Sequence, residues 1–236
     1  MGHTYFIEDA VEVENHIKYN VAMLTRSSWS LLNTDNDPAS FWITNPSNFI
    51  EGNRACGSQA YGFWMDLPTG STGLMAGLPN FCPRGMPLGS YKDNVSHSNA
   101  HYGLRVFPEF NPKNKSCGTV DGKNVVTIPA VFENIFVYRN GKRGFITERI
   151  GNLTFKDFKS ADNKISNLEV SDLISFEGGN ASFKNSAILG SSKNPIGKEN
   201  SDLYPTFGLV TPRKDNFLVD TVRFHEYGNP KKIPFS

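Results

Sequence analysis

The chain has 236 residues and is almost neutral, with 24 lysines and arginines against 23 aspartates and glutamates. A net charge of +1 gives no long-range field that would attract nucleic acid or an anionic membrane, and no stretch approaches the roughly 20 apolar residues that span a bilayer. We therefore expect neither nucleic-acid binding nor direct membrane insertion. A repeat protein of this length is normally one body, so we predict a single domain over residues 1–236.

The first residues contain an acidic cluster with a histidine: His3, Glu8, Asp9, Glu12 and Glu14. The stretch lacks the features of a signal peptide and reads as strand, so we expect the sequence to begin inside a longer one. In a strand, Glu8, Glu12 and Glu14 would share one face and Asp9 would lie opposite. Carboxylates on a solvent-facing sheet can act as acid, base or Ca²⁺ ligands, which makes His3, Glu8 and Asp9 candidate catalytic residues. A solvated acidic face without activity is the alternative.

Short apolar strands that end in asparagine or aspartate recur along the chain. The pattern is fullest at Asn53 and Asn94, each followed nine residues later by glycine and a large apolar residue. With no clean helical stripe in the sequence, this recurrence predicts an all-β fold, a right-handed parallel β-helix with loop insertions. An inward asparagine at each corner would bond the backbone and its own copies in adjacent turns, and a ligand-binding row is the alternative. The predicted ladder comprises Asn20, Asn53, Asn94, Asn134, Asp157 and Asn185.

Three interruptions of the repeat are predicted loop insertions, at about residues 29–38, 67–88 and 108–125. Excursions of this length from a solenoid commonly carry recognition. Large aromatic side chains are a second recognition signal, because exposed rings can stack on sugars, whereas buried rings would only fill the core. The residues in question are Trp29, Trp42, Tyr61, Trp64 and Tyr102.

The three cysteines have different surroundings in the sequence. Cys56 lies among small residues and is predicted to be a buried free thiol. Cys82 and Cys117 lie at either end of a loop-rich region and would pair in an oxidising compartment. His97 and His101 have no third ligand nearby, so the sequence predicts no metal site there.

Four sequons are present, and three of them are predicted glycosylation sites: Asn114, Asn152 and Asn180. Asn114 is the best candidate because it lies in a loop beside Cys117. Asn94 belongs to the repeat and is expected to face inward, away from a glycan.

The order of these motifs resembles the fibrocystin and fibrocystin-like proteins and their hyaluronan-binding relatives. The matching stretches begin at Gly2-His3-Thr4-Tyr5-Phe6-Ile7-Glu8-Asp9 and continue through Pro38-Ala39-Ser40-Phe41-Trp42, Asn53-Arg54-Ala55-Cys56-Gly57 and Val95-Ser96-His97-Ser98. The matching motifs follow one another closely up to about residue 107. Beyond that residue only the repeat pattern matches. Two positions depart from the family pattern, Ala10 in place of glycine and Cys56 in place of a small residue such as alanine.

The resemblance implies a parallel β-helix segment of a large extracellular or ciliary-surface protein, which agrees with a Cys82–Cys117 disulfide and a glycan at Asn114. We favour a structural, adhesion or receptor-like role without catalysis, with neighbouring domains of the same large chain, glycans or surface proteins as partners. The resemblance also implies an alternative, a Ca²⁺-assisted depolymerase of hyaluronan or a related glycan. Repetitive assembly in a filament or ciliary coat is a third interpretation, because open end rungs can stack. No cofactor is predicted apart from Ca²⁺ in the enzyme alternative.

Overall fold

The computed structural model describes residues 2–28, 36–120, 123–174, 181–190, 207–213, 217–227 and 233–236. It consists of three parallel sheets, each taking one strand from every turn of the chain. Successive strands therefore pass from one sheet to the next, and each full turn, here called a rung, stacks on the one before. This confirms the prediction of an all-β parallel β-helix.

Within the described ranges, the sheets have the following strands. Sheet A has eight: β1 (Tyr5–Ile7), β4 (Ala39–Ile43), β7 (Tyr61–Asp66), β10 (Tyr102–Phe110), β13 (Arg143–Ile150), β16 (Ser166–Leu173), β19 (Phe207–Val210) and β22 (Ile233–Phe235). Sheet B has seven: β2 (His16–Lys18), β5 (Phe49–Glu51), β8 (Ser90–Lys92), β11 (Ala130–Glu133), β14 (Leu153–Lys156), β17 (Ser182–Lys184) and β20 (Leu218–Asp220). Sheet C has seven: β3 (Val21–Met23), β6 (Arg54–Cys56), β9 (Val95–His97), β12 (Phe136–Tyr138), β15 (Lys159–Ala161), β18 (Ala187–Leu189) and β21 (Arg223–His225).

The core consists of side chains stacked in columns, because the register places equivalent positions of successive rungs above one another. In sheet A, the rings of Phe41 and Phe63 are 4.6 Å apart and nearly parallel. In sheet B, Phe155 stacks between Phe132 and Phe183, at 5.5 and 4.9 Å. All five side chains are buried. Burial of a side chain of this size contributes about 1.5–3 kcal/mol, so these columns supply much of the stability.

The corner between sheets B and C needs a left-handed residue in every rung. The positions that follow the sheet B strands have φ between +47° and +66°: Tyr19, Gly52, Asp93, Asn134, Asp157, Asn185 and Thr221. Asparagine, aspartate and glycine adopt this conformation most readily, which explains why they recur between the strands. A Cβ on Gly52 would also lie 2.5 Å from the Tyr19 ring.

The predicted asparagine ladder exists in the first three rungs. The backbone and side-chain nitrogens of Asn20 both donate to Oδ1 of Asn53, at 3.0 and 3.2 Å, and Asn53 donates in the same way to Asn94. The three remaining predicted members lie one column away, at the left-handed corner described above: Asn134, Asp157 and Asn185. There Asn134 donates to Asp93, and Asn185 donates to Asp157.

The ladder ends after Asn94 because an apolar residue occupies its column in the next rung. The register pairs Glu133 with Lys92 and Phe136 with Val95, so Ile135 takes the place of Asn94. Ile135 is 2 % exposed and packs in the core. The pattern of Asn134 resembled that of Asn94 in the sequence, but it is offset by one residue, and this offset turns the side chain outward.

A second ladder lies at the corner between sheets C and A, and the sequence reasoning missed it. Ser58 donates to Asn99, Asn99 to Asn140, and Asn140 to Asn163, through bonds of 2.9–3.2 Å. The sequence does contain a pattern that indicates this ladder. A polar residue is followed four positions later by glycine at Ser58, Asn99 and Asn140. The glycine at position 103 is needed because a Cβ there would lie 2.8 Å from the Asn140 side-chain nitrogen.

Two excursions leave the downstream ends of β7 and β10. The first runs to β8 and contains 3₁₀ turns at Gly73–Met75 and Pro83–Gly85, and the second runs from the end of β10 at Phe110 to β11. The second therefore begins a few residues later than the sequence indicated. Residues 29–35 of the earliest predicted loop lie outside the described residues. Within the described part of the chain, no helix is long and apolar enough to cross a membrane.

Candidate functional site

The outer face of sheet A carries a group of large aromatic side chains. The register places Trp42 beside Trp64 and Trp64 beside Arg105 in one outward column, while Tyr61 pairs with Tyr102 in the next. We call these five residues the aromatic strip. The tryptophans and Tyr102 are partly buried, and they pack on Tyr61, which is 5 % exposed. Four of the five aromatic residues that the sequence singled out, Trp42, Tyr61, Trp64 and Tyr102, thus form a cluster outside the main core. The fifth, Trp29, lies outside the described residues.

Arg105 lies at the centre of the strip. Its guanidinium carbon is 5.8 Å from the ring centres of Tyr61, Trp64 and Tyr102, and 4.0 Å from that of Phe107. It donates to the Tyr61 hydroxyl at 3.3 Å and to the Glu148 carboxylate at 2.8 Å. A cation among several ring faces is attracted by each of them, so the arginine fixes the orientation of the rings around it.

Charges on this face are neutralised in pairs between neighbouring strands. Besides Arg105 with Glu148, Arg149 binds Glu109 at 2.9 Å and Arg143 binds Glu169. Paired arginines offer a ligand directed N–H groups rather than a net positive field. The strip is therefore a set of fixed ring faces bordered by hydrogen-bonding groups, and it has little capacity to attract anions by charge alone.

Two nitrogens in the strip are buried without a hydrogen-bond partner. Among the described residues these are Nε1 of Trp64 and Nε of Arg105. A buried donor without an acceptor costs roughly 1–3 kcal/mol, so these two nitrogens are a local cost of the arrangement of the strip.

His3 and Asp66 border the tryptophans. The His3 ring stacks on Trp42 with centroids 4.5 Å apart, and its Nδ1 accepts a hydrogen bond from the Ala39 backbone at 3.0 Å. The Trp42 indole donates to Asp66 at 3.4 Å. Burial raises the pKa of the Asp66 carboxyl, although Trp42 and the nearby Arg105 oppose this rise. Sequence reasoning missed Asp66, because its surroundings come from other rungs.

Glu8 and Asp9 lie away from the strip, where they hold the first excursion. The backbone oxygen of Glu8 accepts from the Thr72 hydroxyl at 2.6 Å. The Asp9 carboxylate accepts from the backbone of Leu74 at 3.0 Å, and its backbone oxygen accepts from Thr72. The contacts of His3, by contrast, are with Ala39 and the tryptophans. These contacts make Asp9 an anchor for the loop.

The expectation that Glu8, Glu12 and Glu14 share a strand face is wrong. Strand β1 ends at Ile7, and the residues that follow form an irregular turn in which Ala10 and Glu14 have φ of 66° and 59°. The Glu12 carboxylate turns back to accept from the backbone of Glu8 and Asp9. Within the described residues, no group of three His, Cys, Asp or Glu side chains is arranged to hold a metal ion.

The two excursions are joined to each other. A disulfide links Cys82 to Cys117, with Cα atoms 5.1 Å apart. Gly85 packs directly on Ser116, where a Cβ would lie 2.0 Å from the backbone oxygen. The disulfide and this contact therefore hold the two excursions together at the downstream end of sheet A.

Cys56 is a free cysteine, but it is half-buried rather than buried. Its neighbour Ala55 takes the inward position in β6, which places Cys56 on the outer face of sheet C beside His97. The sequence favoured burial because the small residues around it suggested a tight position, but the strand alternation decides the face.

The sequon asparagines differ in exposure. Asn94 is fully buried in the ladder, Asn152 is half-buried, and Asn114 is exposed. The Asn114 side chain bonds the backbone of Asn124 and Val126 within its loop. Asn180 lies outside the described residues.

Comparisons with known proteins give consistent relatives. Residues 28–104 match the family model described as the CEMIP beta-helix. The chain is 32% identical to mouse fibrocystin-L over 230 residues and 31% identical to the human protein over 238, which covers 96% and 98% of the chain. It is 26% identical over 241 residues to human cell surface hyaluronidase CEMIP2, with 82% of the chain and 17% of that protein covered. The chain spans only about 5% of the length of each fibrocystin-L.

Proposed function

We propose that this chain, which is related to the fibrocystin-like family over almost its whole length, is a rigid β-helix segment that presents the aromatic strip to a glycan at the cell surface. The observation that carries the proposal is the cluster of Trp42, Trp64 and Tyr102 on an outer sheet face, with Arg105 beside Trp64 and Tyr102. The relatives named as hyaluronidases or hyaluronan-binding proteins support a glycan as the ligand.

The chemistry of the strip suits a sugar ring. The apolar C–H face of a pyranose packs on an aromatic ring, and its hydroxyl groups need directed hydrogen-bond partners around the edge. Trp64 and Tyr102 supply ring faces, while Arg105 and Glu148 supply donors and acceptors that their own ion pair holds in place. Such a pre-organised site loses little conformational entropy on binding.

Binding is tested with hyaluronan oligosaccharides titrated into the protein by calorimetry and NMR. We expect Trp64→Ala to weaken binding at least tenfold, because one stacked ring is lost, while Tyr138→Ala leaves it unchanged. Tyr138 is a matched control, since it is a half-buried ring on the outer face of sheet C. Equal affinity in both variants, or no binding to hyaluronan or to other glycans, would reject the strip as a glycan site.

The second candidate function is a glycan depolymerase. The observation that favours it is the raised pKa of the Asp66 carboxyl beside the aromatic rings. A carboxyl group whose pKa is raised by burial, next to aromatic rings, has the properties of a general acid in glycoside cleavage. The original candidates His3, Glu8 and Asp9 remain part of this alternative, with Ca²⁺ as the ion to test.

The enzyme alternative is tested by the size of hyaluronan after incubation with the protein, with and without Ca²⁺. Shortening that Asp66→Asn abolishes would establish catalysis at the strip, and shortening that Asp9→Asn abolishes would place it at the N-terminal turn. Binding without shortening supports the display role.

The environment proposed for the segment is the cell or ciliary surface. The Cys82–Cys117 disulfide supports it, because such bonds persist mainly in oxidising compartments. Neighbouring domains of a longer chain and other surface proteins are the further partners that we propose. Cleavage of N-glycans from protein secreted by animal cells, followed by mass measurement, tests this placement.

A further inference from the structure

The outer face of sheet C differs in charge from the other two outer faces. In strands β6, β9, β12, β15 and β18 the middle residue is buried and the residues on either side of it point outward. None of the outward residues of these described strands is an aspartate or a glutamate. The outer faces of sheets A and B do carry carboxylates, which pair with cations, as Glu148 does with Arg105 and Glu133 with Lys156. Sheet C therefore lacks the negative charges that neutralise the other faces.

One outward column of sheet C has a basic residue at each end and apolar residues between them. The register aligns Arg54 with Val95, and Val95 with Phe136. Phe136 in turn aligns with Lys159. We call these four residues the sheet C column, of which the two basic side chains are exposed and the two apolar ones half-buried. The column lies inside the solenoid, because β3 pairs with β6 on one side and β18 with β15 on the other.

The basic ends of the column are available to an anion. Among the residues that the structure describes, Arg54 and Lys159 take part in no ion pair. The carboxylates of the adjoining corner are already bonded, since Asp93 and Asp157 each accept from the corner asparagine of the next rung. Asp157 also lies 3.5 Å from Nζ of Lys156.

A neighbouring histidine is consistent with a positive potential at this face. Burial lowers the pKa of His97, and the positive charges of Arg139 and Arg54 lower it further. The same positive charges that disfavour a protonated imidazole would attract a carboxylate.

The rings of this face suit a peptide better than a sugar. The rings of His97 and Tyr138 stack with centroids 4.5 Å apart and planes at 12°, and Phe136 packs on Tyr138 at 4.6 Å. The faces shared in these contacts are closed to a pyranose. The edges of aromatic rings carry partial positive charge, which favours carboxylates beside them.

The length of the column fixes the spacing of the groups that it can bind. Neighbouring strands lie about 4.8 Å apart, so Arg54 and Lys159 are separated by three such spacings, or roughly 14 Å. An extended peptide advances about 3.3 Å per residue, which places every second side chain on the same side and residues i and i+4 about 13 Å apart. The side chain of residue i+2 then lies over Val95 and Phe136.

We propose that the sheet C column binds an extended segment of a partner protein that carries an acidic, an apolar and a second acidic residue at alternate positions. One carboxylate pairs with Arg54 and the other with Lys159, while the apolar side chain packs on Val95 and Phe136. The segment runs along the solenoid axis. Exposed ion pairs contribute modestly, so the binding is expected to be weak and to decrease with salt.

The test uses a dye-labelled peptide of sequence Gly-Ser-Glu-Ser-Leu-Ser-Glu-Ser-Gly, titrated with the 236-residue protein and followed by fluorescence anisotropy. A second peptide has glutamine in place of both glutamates, and we expect it to bind about tenfold more weakly. An isomer, Gly-Ser-Glu-Ser-Leu-Glu-Ser-Ser-Gly, has the same charge but turns its second glutamate to the opposite side, and should bind about threefold more weakly. These comparisons change the peptide only, so the folding of the protein does not affect them.

Protein variants locate the contact. In the double variant Arg54→Gln with Lys159→Gln, the preference for glutamate over glutamine should fall below twofold. The matched control is Lys156→Gln with Lys184→Gln, which removes the same charge from aligned outward residues of sheet B and should keep the preference. Circular dichroism checks that both variants are folded. In the ¹⁵N-labelled native protein, the peptide should shift amides of β6, β9, β12 and β15.

The proposal is overturned if the peptide does not bind at millimolar concentration, if the glutamine peptide or the isomer binds equally well, or if the control variant loses the same affinity. Displacement of the peptide by hyaluronan oligosaccharides would also overturn it, since the face would then be an anion site for a glycan. The aromatic strip lies on a different sheet and its glycan binding is measured with Trp64→Ala, so failure of either proposal is distinguishable from failure of the other.

Discussion

The side-chain oxygen of Asn94 accepts two hydrogen bonds from Asn53, one from the backbone N–H at 2.9 Å and one from the amide at 3.3 Å. Both residues are fully buried. The amide of Asn94 in turn donates to the Ile50 backbone at 2.8 Å. The Asn94 side chain thus pairs with three polar groups of the preceding rung in a place that water does not reach, and replacing it with an apolar residue would leave them unpaired.

Replacing Asn94 with alanine should lower the free energy of unfolding by about 2–3 kcal/mol, since buried donors of Asn53 lose their acceptor. Urea unfolding followed by circular dichroism measures the change. Asn134→Gly is the matched control, because Asn134 is exposed and glycine accepts its φ of 50°. We expect that control to stay within about 0.5 kcal/mol. Equal losses at the two positions would contradict the assignment of the ladder to Asn94.

Removing the disulfide with Cys82→Ala and Cys117→Ala should cost about 2–4 kcal/mol, because the bond closes a loop with a sequence separation of 35. Thermal unfolding with and without a reducing agent measures this. The native protein should become less stable on reduction, and the double variant should not respond. Cys56→Ser serves as the control, since Cys56 is free. If the double variant also lost stability in the reducing agent, the loss in the native protein could not be assigned to the Cys82–Cys117 bond.

Glu51 lies between two lysines of adjacent rungs, with Lys18 at 3.1 Å and Lys92 at 3.8 Å. A hydrogen bond from Ser90 and the two lysines lower the pKa of its carboxyl. Glu51→Lys would place three like charges in one column and should destabilise the protein by about 1–2 kcal/mol, part of which 1 M salt should restore. Glu51→Gln should cost less. A loss that salt does not change would point to packing rather than charge.

The architecture could be predicted from the sequence because asparagine, aspartate or glycine occupies five of the seven described corner positions between sheets B and C, and this preference leaves a visible period. The positions and partners of single residues were predicted less well. Asn134 has the same local pattern as Asn94, and only the register of a neighbouring rung shows that Ile135 takes the inward place. His3 appeared to belong with Glu8 and Asp9, yet its ring lies on Trp42 from a rung more than thirty residues away. Contacts between rungs depend on loop lengths that local patterns do not specify.

Glycosylation should follow exposure among the sequons. We expect Asn114 and Asn152 to carry glycans in protein secreted from animal cells, and Asn94 to carry none, because a glycan on Asn94 would be incompatible with its place in the ladder. Peptide mass spectrometry after enzymatic deglycosylation identifies each site. Asn114→Gln and Asn152→Gln should each remove one glycan mass. A glycan found on Asn94 of the folded protein would contradict the structure at the centre of its core.

Two histidines should make the protein less stable at mildly acidic pH. Burial lowers the pKa of His97, with Arg139 and Arg54 adding to the effect, and burial together with Lys142 lowers that of His101. The unfolded chain then binds protons near pH 6.5, at a pH where the folded protein still excludes them. The free energy of unfolding should therefore decrease as the pH falls from 7 through 6.5 toward the lower folded-state values. Urea unfolding at several pH values measures the slope, and the double variant His97→Gln with His101→Gln should have a shallower one. An identical slope in the double variant would assign the acid sensitivity to the carboxylates instead.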